Sequence, residues 1–252
     1  MESLQLGDSF FFIDADDRMV RMRKYSGLPA WLMPAGIDEI NLSEPVRRQL
    51  GILLASDEQL FLYRIENVLL AALNGPQAAA RIKAQLQPGD VLCINGRAPA
   101  DVLSWSSWAE CHEDWNYAFL RQELPPAVLP EGAVLRKLDM ADLPYVLNHY
   151  ETVQEERYLS DRIAAGMLGI EAGGSLRGFI GSHPEGTMGI LFVEPAWRCR
   201  HFGAALVSGM IRDLRTREII PIAQVDIHNE ASRRLYESLS MQRSSQPVRW
   251  YF

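Results

Sequence analysis

The chain has 252 residues, 48% of them hydrophobic, enough for one large domain or two domains of ordinary size. Its formal net charge is −7 at pH 7, whereas a general nucleic-acid-binding protein needs a basic face. We therefore expect no nucleic-acid partner, and any anion site must be local.

The N-terminus and the cysteines exclude several further classes of protein. The opening segment MESLQLGDSFFFIDADD lacks the basic start and long apolar middle of a signal peptide. No apolar run approaches the roughly 18 residues that a membrane crossing requires. We expect a cytoplasmic protein with no membrane partner. The three cysteines contain no C-x-x-C pair, so neither a disulfide framework nor a metal site is predicted.

The first part of the chain predicts a mixed order of helices and strands. Two apolar runs flank an acidic turn at residues 14–18, and two more flank Glu66 and Asn67 as a hairpin would. Ser43 has the residue type of a helix start. The predicted strands lie at residues 9–13, 19–22 and 91–94, and two more lie within 59–73, one on each side of the turn at 66–67. The predicted helices lie at 43–50 and 76–86.

An aromatic-rich segment follows between residues 100 and 120. Trp105 and Trp108 lie three positions apart, which predicts one buried face of a helix that begins near residue 99. An aromatic wall for a substrate is the alternative, and core packing is favoured. The polar residues 111–114 are predicted to form a loop.

Residues 124–132 contain three prolines and a glycine and mark a domain boundary. We therefore predict an N-terminal mixed α/β domain at residues 1–125 and a second domain at 133–252. Asp139 and Asp142 are predicted to cap the first helix of the second domain. Its other predicted elements are strands at 133–138, 168–171, 175–180, 187–193, 219–227 and 247–252, and helices at 155–167, 204–215 and 231–239.

The stretch 188–206, MGILFVEPAWRCRHFGAAL, is a strand, a basic turn and a helix. The turn carries Arg198 and Arg200 immediately before the helix. A helix N-terminus presents unpaired N–H groups and the positive end of a dipole. This arrangement predicts a site for a phosphate or pyrophosphate group.

Two motifs resemble those of the GCN5-related N-acetyltransferases, the GNAT superfamily. The signature V-x-P-x-x-R-x-x-G-x-G/A, which carries the coenzyme A pyrophosphate in that family, is similar to the residues Val193, Pro195, Arg198, Arg200, Gly203, Ala205 and Leu206. The second family motif, N-x-x-S-x-x-L-Y-x-x-L-G-F, resembles residues 229–239. Residues 178–189 are similar to glycine N-acyltransferase-like enzymes and to a bacterial branch, both of which commonly carry an extra N-terminal domain.

The resemblance spans residues 134–252 and implies an α+β fold, with a GNAT-type central mixed β-sheet flanked by helices. The additional N-terminal domain could be a decayed second copy of this fold. The resemblance also implies acetyl-CoA as cofactor, held by these residues: Leu191, Phe192, Val193, Arg198, Cys199, Arg200, His201, Phe202, Gly203, Ala204, Asn229, Ser232 and Tyr236.

Two positions depart from the family pattern. His201 stands where the family has the glycine that lets the backbone approach the diphosphate. Its ring could lean outward and donate to a phosphate, or it could block the pocket. Ser240 follows the motif leucine where a glycine is usual, at a cost of about 1 kcal/mol if that position needs positive φ.

Three residues are candidates for catalysis. By resemblance, Tyr236 protonates the departing thiolate, although a tyrosine packed on the sheet has the same pattern. Relatives have a glutamate base where this chain has Phe192. Asp226 and His228 share one strand face by alternation and are candidate bases, although a solvated strand end or a water relay explains them equally well. Asn229 also fits a helix cap.

The resulting hypothesis is an N-acyltransferase that moves an acetyl group from acetyl-CoA to a primary amine of a small molecule, amino acid or peptide. The alternative is a non-catalytic acyl-CoA-binding or regulatory protein, and a third option is a scaffold that keeps only the fold. A homodimer is possible. The acceptor would lie against residues 150–162, with the N-terminal domain supporting the acceptor site or the dimer interface.

Overall fold

The computed structural model describes residues 4–6, 9–13, 19–23, 27–33, 35–126 and 128–252. They fall into two compact units. The first contains the described residues up to Leu120 together with Val225–His228 and Gln242–Phe252, and the second contains Arg121–Gln224 and Asn229–Met241. The first unit thus includes two segments from the C-terminal end of the chain. The predicted domain limits of 1–125 and 133–252 stay a prediction.

The N-terminal part of the chain alternates strands and short helices. Its elements are β1 Leu4–Leu6, β2 Ser9–Ile13, β3 Met19–Arg23, α1 Ile40–Arg47, β4 Ile52–Ser56, β5 Leu60–Ile65, β6 Val68–Leu73, α2 Ala78–Lys83, β7 Val91–Asn95 and β8 Cys111–Ala118. The strands predicted at 9–13, 19–22, 59–73 and 91–94 are confirmed. The predicted acidic turn at 14–18 lies outside the described residues.

Burial on both faces explains why β6 reads as a continuous apolar run. It lies between β5 and β7, antiparallel to the first and parallel to the second. Leu69 and Ala71 pack into one hydrophobic cluster, and Leu70 and Ala72 pack into another. A strand covered on both faces needs no polar alternation.

Three local predictions in this unit are wrong. The helix α1 begins at Ile40 rather than Ser43, and no side chain caps it. Trp105 ends a short 3₁₀ turn and Trp108 lies beyond it, so the two do not share a helix face. Trp108 is nevertheless buried, and its indole donates to the Asp90 carbonyl at 2.6 Å, which confirms core packing for that residue. The predicted loop at 111–114 is the start of β8.

The C-terminal part of the chain begins after the proline-rich segment. Its elements are β9 Ala133–Lys137, α3 Leu143–His149, α4 Glu156–Ala164, β10 Leu168–Ala172, β11 Ser175–Ile180, β12 Thr187–Met188, β13 Phe192–Val193, α5 Phe202–Thr216, β14 Ile222–Asp226, α6 Glu230–Ser238 and β15 Gln242–Tyr251. Within the second unit, β9, β10, β11 and β13 form an antiparallel sheet. The predicted cap is confirmed only in part: the Asp139 carboxylate accepts from the Ala141 amide at 2.8 Å and caps the 3₁₀ turn Met140–Asp142 that leads into α3. Asp142 is the N-cap residue of α3 itself, but its side chain makes no capping bond to that helix.

The predicted strand 187–193 is divided into two. Thr187 pairs in parallel with Ile222 of β14, whereas Phe192 pairs antiparallel with Phe179 of β11. Between the two halves the chain makes a tight turn in which the Leu191 amide donates to the Gly189 carbonyl at 2.7 Å. The strand therefore leaves one set of partners and joins another at residues 189–191.

The predicted α+β class, with a mixed β-sheet flanked by helices, is confirmed. Within the described residues, none of the helices combines the length and the apolar character that a membrane crossing needs. The additional N-terminal domain stays a prediction.

Candidate functional site

The basic turn before α5 contains two residues in the left-handed backbone region. After β13 the chain makes a 3₁₀ turn at Pro195–Trp197, and Cys199 (φ 57°) and His201 (φ 63°) then adopt positive φ. Such values cost a non-glycine residue on the order of 1 kcal/mol. This backbone requirement gives a physical reason for the family glycine at the position of His201.

The N-terminus of α5 presents unpaired amides. The Ala205 amide donates to the His201 carbonyl at 2.9 Å and closes the first turn of the helix. The amides of Phe202, Gly203 and Ala204 precede that bond and have no partner within the helix. The exposed His201 side chain does not cap the helix. These three amides can therefore face an anion.

Arg198 and Arg200, in the turn just before this helix, are exposed. The Arg200 guanidinium lies over the Trp197 ring at 5.6 Å, and the Arg177 guanidinium lies over the same ring at 5.0 Å. Arg177 pairs with Glu194 at 3.1 Å. Among the described residues, neither Arg198 nor Arg200 forms an ion pair with a carboxylate. Both charges are therefore available to a ligand.

The backbone of β13 has one side turned away from its neighbour. The Glu194 amide donates to the Arg177 carbonyl of β11 at 2.9 Å. Because the hydrogen-bonding groups of an antiparallel strand alternate in direction, those of Val193 point to the opposite side. There the Arg198 Nε donates to the Val193 carbonyl at 3.0 Å. The Val193 amide therefore also faces away from β11.

The predicted residues of α6 lie at its start and on its buried face. The Asn229 Oδ1 accepts from the Ser232 amide at 3.1 Å, which confirms the helix cap. Tyr236 is buried, and burial raises the pKa of its phenol. The phenol is therefore protonated at neutral pH. Ser240 has φ 63°, so the departure from the family glycine falls where the backbone is left-handed.

Asp226 and His228 do not share a strand face, which corrects the predicted alternation. The strand β14 ends at Asp226, and His228 lies in the following turn, where its amide donates to the Asp226 carboxylate at 2.7 Å. Asp226 belongs to a polar cluster of the first unit, with its carboxylate 3.9 Å from the His112 ring. Its role as a base stays a prediction.

The same cluster contains a carboxyl group with an unusual pKa. Burial, and next the charge of Asp226, raise the pKa of Asp114 to about 6, while His112 opposes the shift. Because the folded-state pKa exceeds the unfolded one, Asp114 lowers stability as the pH rises from about 4 through 6.

We expect Asp114→Asn to stabilise the chain at pH 8 by on the order of 1–2 kcal/mol, with a clearly smaller gain at pH 4.5. Thermal unfolding at the two pH values measures this difference. Asp139→Asn serves as a control, because Asp139 is an exposed capping residue elsewhere in the chain. An equal gain at both pH values for Asp114→Asn would contradict the raised pKa.

His149 is a polar residue beside β13 that the sequence analysis did not single out. It ends α3, and its ring lies 4.1 Å from the Tyr145 ring and 4.9 Å from the Phe192 ring, centroid to centroid. The i,i+4 spacing of Tyr145 and His149 was a readable signal for a shared helix face. Their contact with Phe192 had no local signal.

Comparisons with known proteins agree with this geometry. The family model described as FR47-like protein matches residues 167–250. A GCN5-related N-acetyltransferase from Kribbella flavida superimposes with a TM-score of 0.58 at 13% identity, over 87% of this chain and 95% of the other. A protein described as a putative GNAT-family acetyltransferase from Novosphingobium aromaticivorans gives a TM-score of 0.54 at 18% identity, over 89% of this chain and 96% of the other. A Drosophila protein gives a TM-score of 0.59 at 19% identity, over 76% of this chain and 72% of the other. The curated proteins contain no match. At these identities the structures show the fold alone.

Proposed function

We propose, from the match of residues 167–250 to the family model described as FR47-like protein and from the GNAT-like motifs, that the chain is an N-acyltransferase of the GNAT superfamily. It transfers an acetyl group from acetyl-CoA to a primary amine of a small molecule, amino acid or peptide. The placement in the glycine N-acyltransferase-like or bacterial two-domain branch is part of this proposal.

One observation carries the proposal: the start of α5 presents three amides with no partner in the helix, and the turn just before it carries two arginines that, among the described residues, have no carboxylate partner. The amides are those of residues 202–204, and the arginines are Arg198 and Arg200. A diphosphate carries negative charge and several acceptor oxygens, which matches this donor set. The residues present therefore fit coenzyme A.

The residues that follow the bend at 189–191 would hold the rest of the cofactor. The Val193 amide faces away from β11 and is suited to an oxygen acceptor such as the thioester carbonyl. Bound acetyl-CoA supplies an acyl group on a thiol leaving group. The Tyr236 phenol stays protonated because it is buried, and it can give a proton to sulfur.

The proposal is tested by calorimetric titration with acetyl-CoA. We expect micromolar binding by the native chain and at least a tenfold weaker affinity for the double variant Arg198→Ala, Arg200→Ala, which loses two charge-assisted contacts. Arg215→Ala is the matched control, since Arg215 lies in the last turn of the same helix. Equal losses in both variants would indicate a nonspecific charge effect and contradict the site.

Thiol release with a panel of amines then separates an enzyme from a binding protein. The non-catalytic alternative is motivated by His201 in the turn and by Phe192 in place of a carboxylate. Binding without thiol release for any amine would favour it. If His201→Gly binds acetyl-CoA and the native chain does not, His201 closes the anion site, whereas no binding by either would exclude the acyltransferase.

A further inference from the structure

The side chain of His149 is held in one orientation by its own helix. Its Nδ1 lies 2.8 Å from the backbone carbonyl of Tyr145. Because a carbonyl oxygen can only accept a hydrogen bond, Nδ1 must carry the proton. In the neutral imidazole the lone pair then resides on Nε2, on the far side of the ring.

The Nε2 atom of His149 is available to a ligand. The side chain is half-buried, and Nε2 makes no hydrogen bond to any residue that the structure describes. Tyr145 covers one part of the ring and Phe192 another, so the ring cannot swing freely. The result is a half-buried histidine with a fixed tautomer, whose basic nitrogen has no hydrogen-bond partner among the described residues.

Tyr145 and Phe192, which contact the His149 ring, make further contacts that hold them in place. The Tyr145 hydroxyl donates to Glu194 at 3.0 Å, and Glu194 pairs with Arg177 at 3.1 Å. Burial, and next the bond to Glu194, raise the pKa of Tyr145, so this phenol remains a donor. Glu194 and Arg177 are the charged groups in these contacts, and they neutralise each other. Phe192 in turn stacks on Phe179, with ring centroids 5.4 Å apart.

We propose that His149 Nε2 is the general base that accepts a proton from the acceptor amine. The inference rests on the proposed acyltransferase function. Its ring contacts Phe192, and the next residue along β13 is Val193, whose amide faces the side proposed for the thioester. His149 would thus supply the basic group that β13 itself lacks.

The proton balance of the reaction requires such a group. The ammonium form of the acceptor gives one proton to Nε2, and its nitrogen lone pair then forms the new C–N bond. The C–S bond breaks, and its electron pair leaves with sulfur. Tyr236 donates a proton to the departing sulfur. It then accepts the second proton of the amine, so the net transfer is from nitrogen to sulfur. His149 finally releases its proton to water.

The test compares the native chain with His149→Phe, which keeps an aromatic ring against Phe192 but has no base. The acceptors are a short peptide that offers only its N-terminal amine and an N-acetylated peptide that offers only a lysine amine. We expect kcat/KM to fall 10²- to 10⁴-fold, most for the lysine amine because it is more fully protonated at neutral pH. The decrease of kcat/KM at acid pH that we expect for the native chain should be absent in His149→Phe.

Two further measurements distinguish a catalytic role from a structural one. Acetyl-CoA affinity and melting temperature should be nearly unchanged in His149→Phe. Added imidazole should restore part of the activity of His149→Ala, in which the ring site is vacated, but not that of His149→Phe.

Activity of His149→Phe within threefold of native, with the decrease at acid pH retained, would overturn the assignment while leaving the acyltransferase intact. Two results together would also overturn the assignment and favour a packing role. These are activity of His149→Ala that imidazole does not restore and a lowered melting temperature in both variants. If the native chain binds no acetyl-CoA, or releases no thiol with either peptide or with any other amine of the panel, the proposed function fails, and the role of His149 fails with it.

Discussion

A Gly178→Ala variant is expected to lose most of its acetyl-CoA binding and part of the stability of the second unit. A Cβ atom at Gly178 would lie 2.5 Å from the Phe192 carbonyl oxygen and 3.2 Å from the Val193 Cα. These are backbone atoms, which cannot rotate away as a side chain can. The β13 strand would have to move from β11, to which it is paired at only two positions.

We expect the unfolding free energy of this variant to fall by about 2–3 kcal/mol, the usual cost of overpacking. The melting temperature should fall by roughly 5–10 °C. Acetyl-CoA affinity, measured by calorimetry below the transition, should fall at least tenfold, since the Val193 amide is displaced.

The stability control for this prediction is Gly203→Ala in the same unit. A Cβ atom at Gly203 would lie 3.4 Å from the Leu235 side chain, which is an ordinary contact, and the position is helical. Alanine in a helix is favoured over glycine by about 1 kcal/mol, so the melting temperature should be unchanged or higher. Native-like stability and binding in Gly178→Ala would show that β13 tolerates displacement.

An Arg64→Met variant is expected to destabilise the first unit by about 3–5 kcal/mol, because it leaves a buried carboxylate without its cation. Arg64 makes two hydrogen bonds to the Asp90 carboxylate, at 2.7 and 2.9 Å. The side chain of Asp90 is only 2% exposed and that of Arg64 14% exposed. Thermal and urea unfolding measure the loss.

The control pair has similar distances but lies in solvent. Arg81 bonds Asp57 at 2.6 Å, with the two side chains 40% and 46% exposed. Water and side-chain entropy offset such a pair, so Arg81→Met should lower stability much less than Arg64→Met does. If the two methionine variants lose equal stability, burial does not determine the value of the Arg64 pair.

A second substitution separates the charge effect from lost packing. In Asp90→Asn, Arg64→Met the buried negative charge is gone, so the double variant should be less destabilised than the sum of the two single variants. Simple addition of the two losses would instead indicate that packing of the Arg64 stem dominates.

Much of the fold was readable from local patterns. The apolar runs that became β5 and β6 are long enough and apolar enough to predict strands, and the hairpin between them needs only adjacent residues. The capping aspartate Asp139 and the apolar spacing of α5 are local in the same sense. The family motifs also indicate the helix start that we propose as the anion site.

Other features depended on residues far apart in the chain. The run 187–193 is apolar throughout, and nothing within it indicates that Thr187 pairs with β14 while Phe192 pairs with β11. Residues 111–114 are polar and were predicted as a loop, yet they form a strand because β15 provides a partner. Strand pairing of this kind is decided by the tertiary structure.

The sequence by itself therefore determined the α+β class, the strand, turn and helix around Arg198 and Arg200, and the cap at Asn229. Each follows from side-chain periodicity or from hydrogen bonds between residues a few positions apart. Only the tertiary structure decided that β12 and β13 separate and that His149 meets Phe192. Such contacts depend on which elements pack together, and local sequence does not encode that choice.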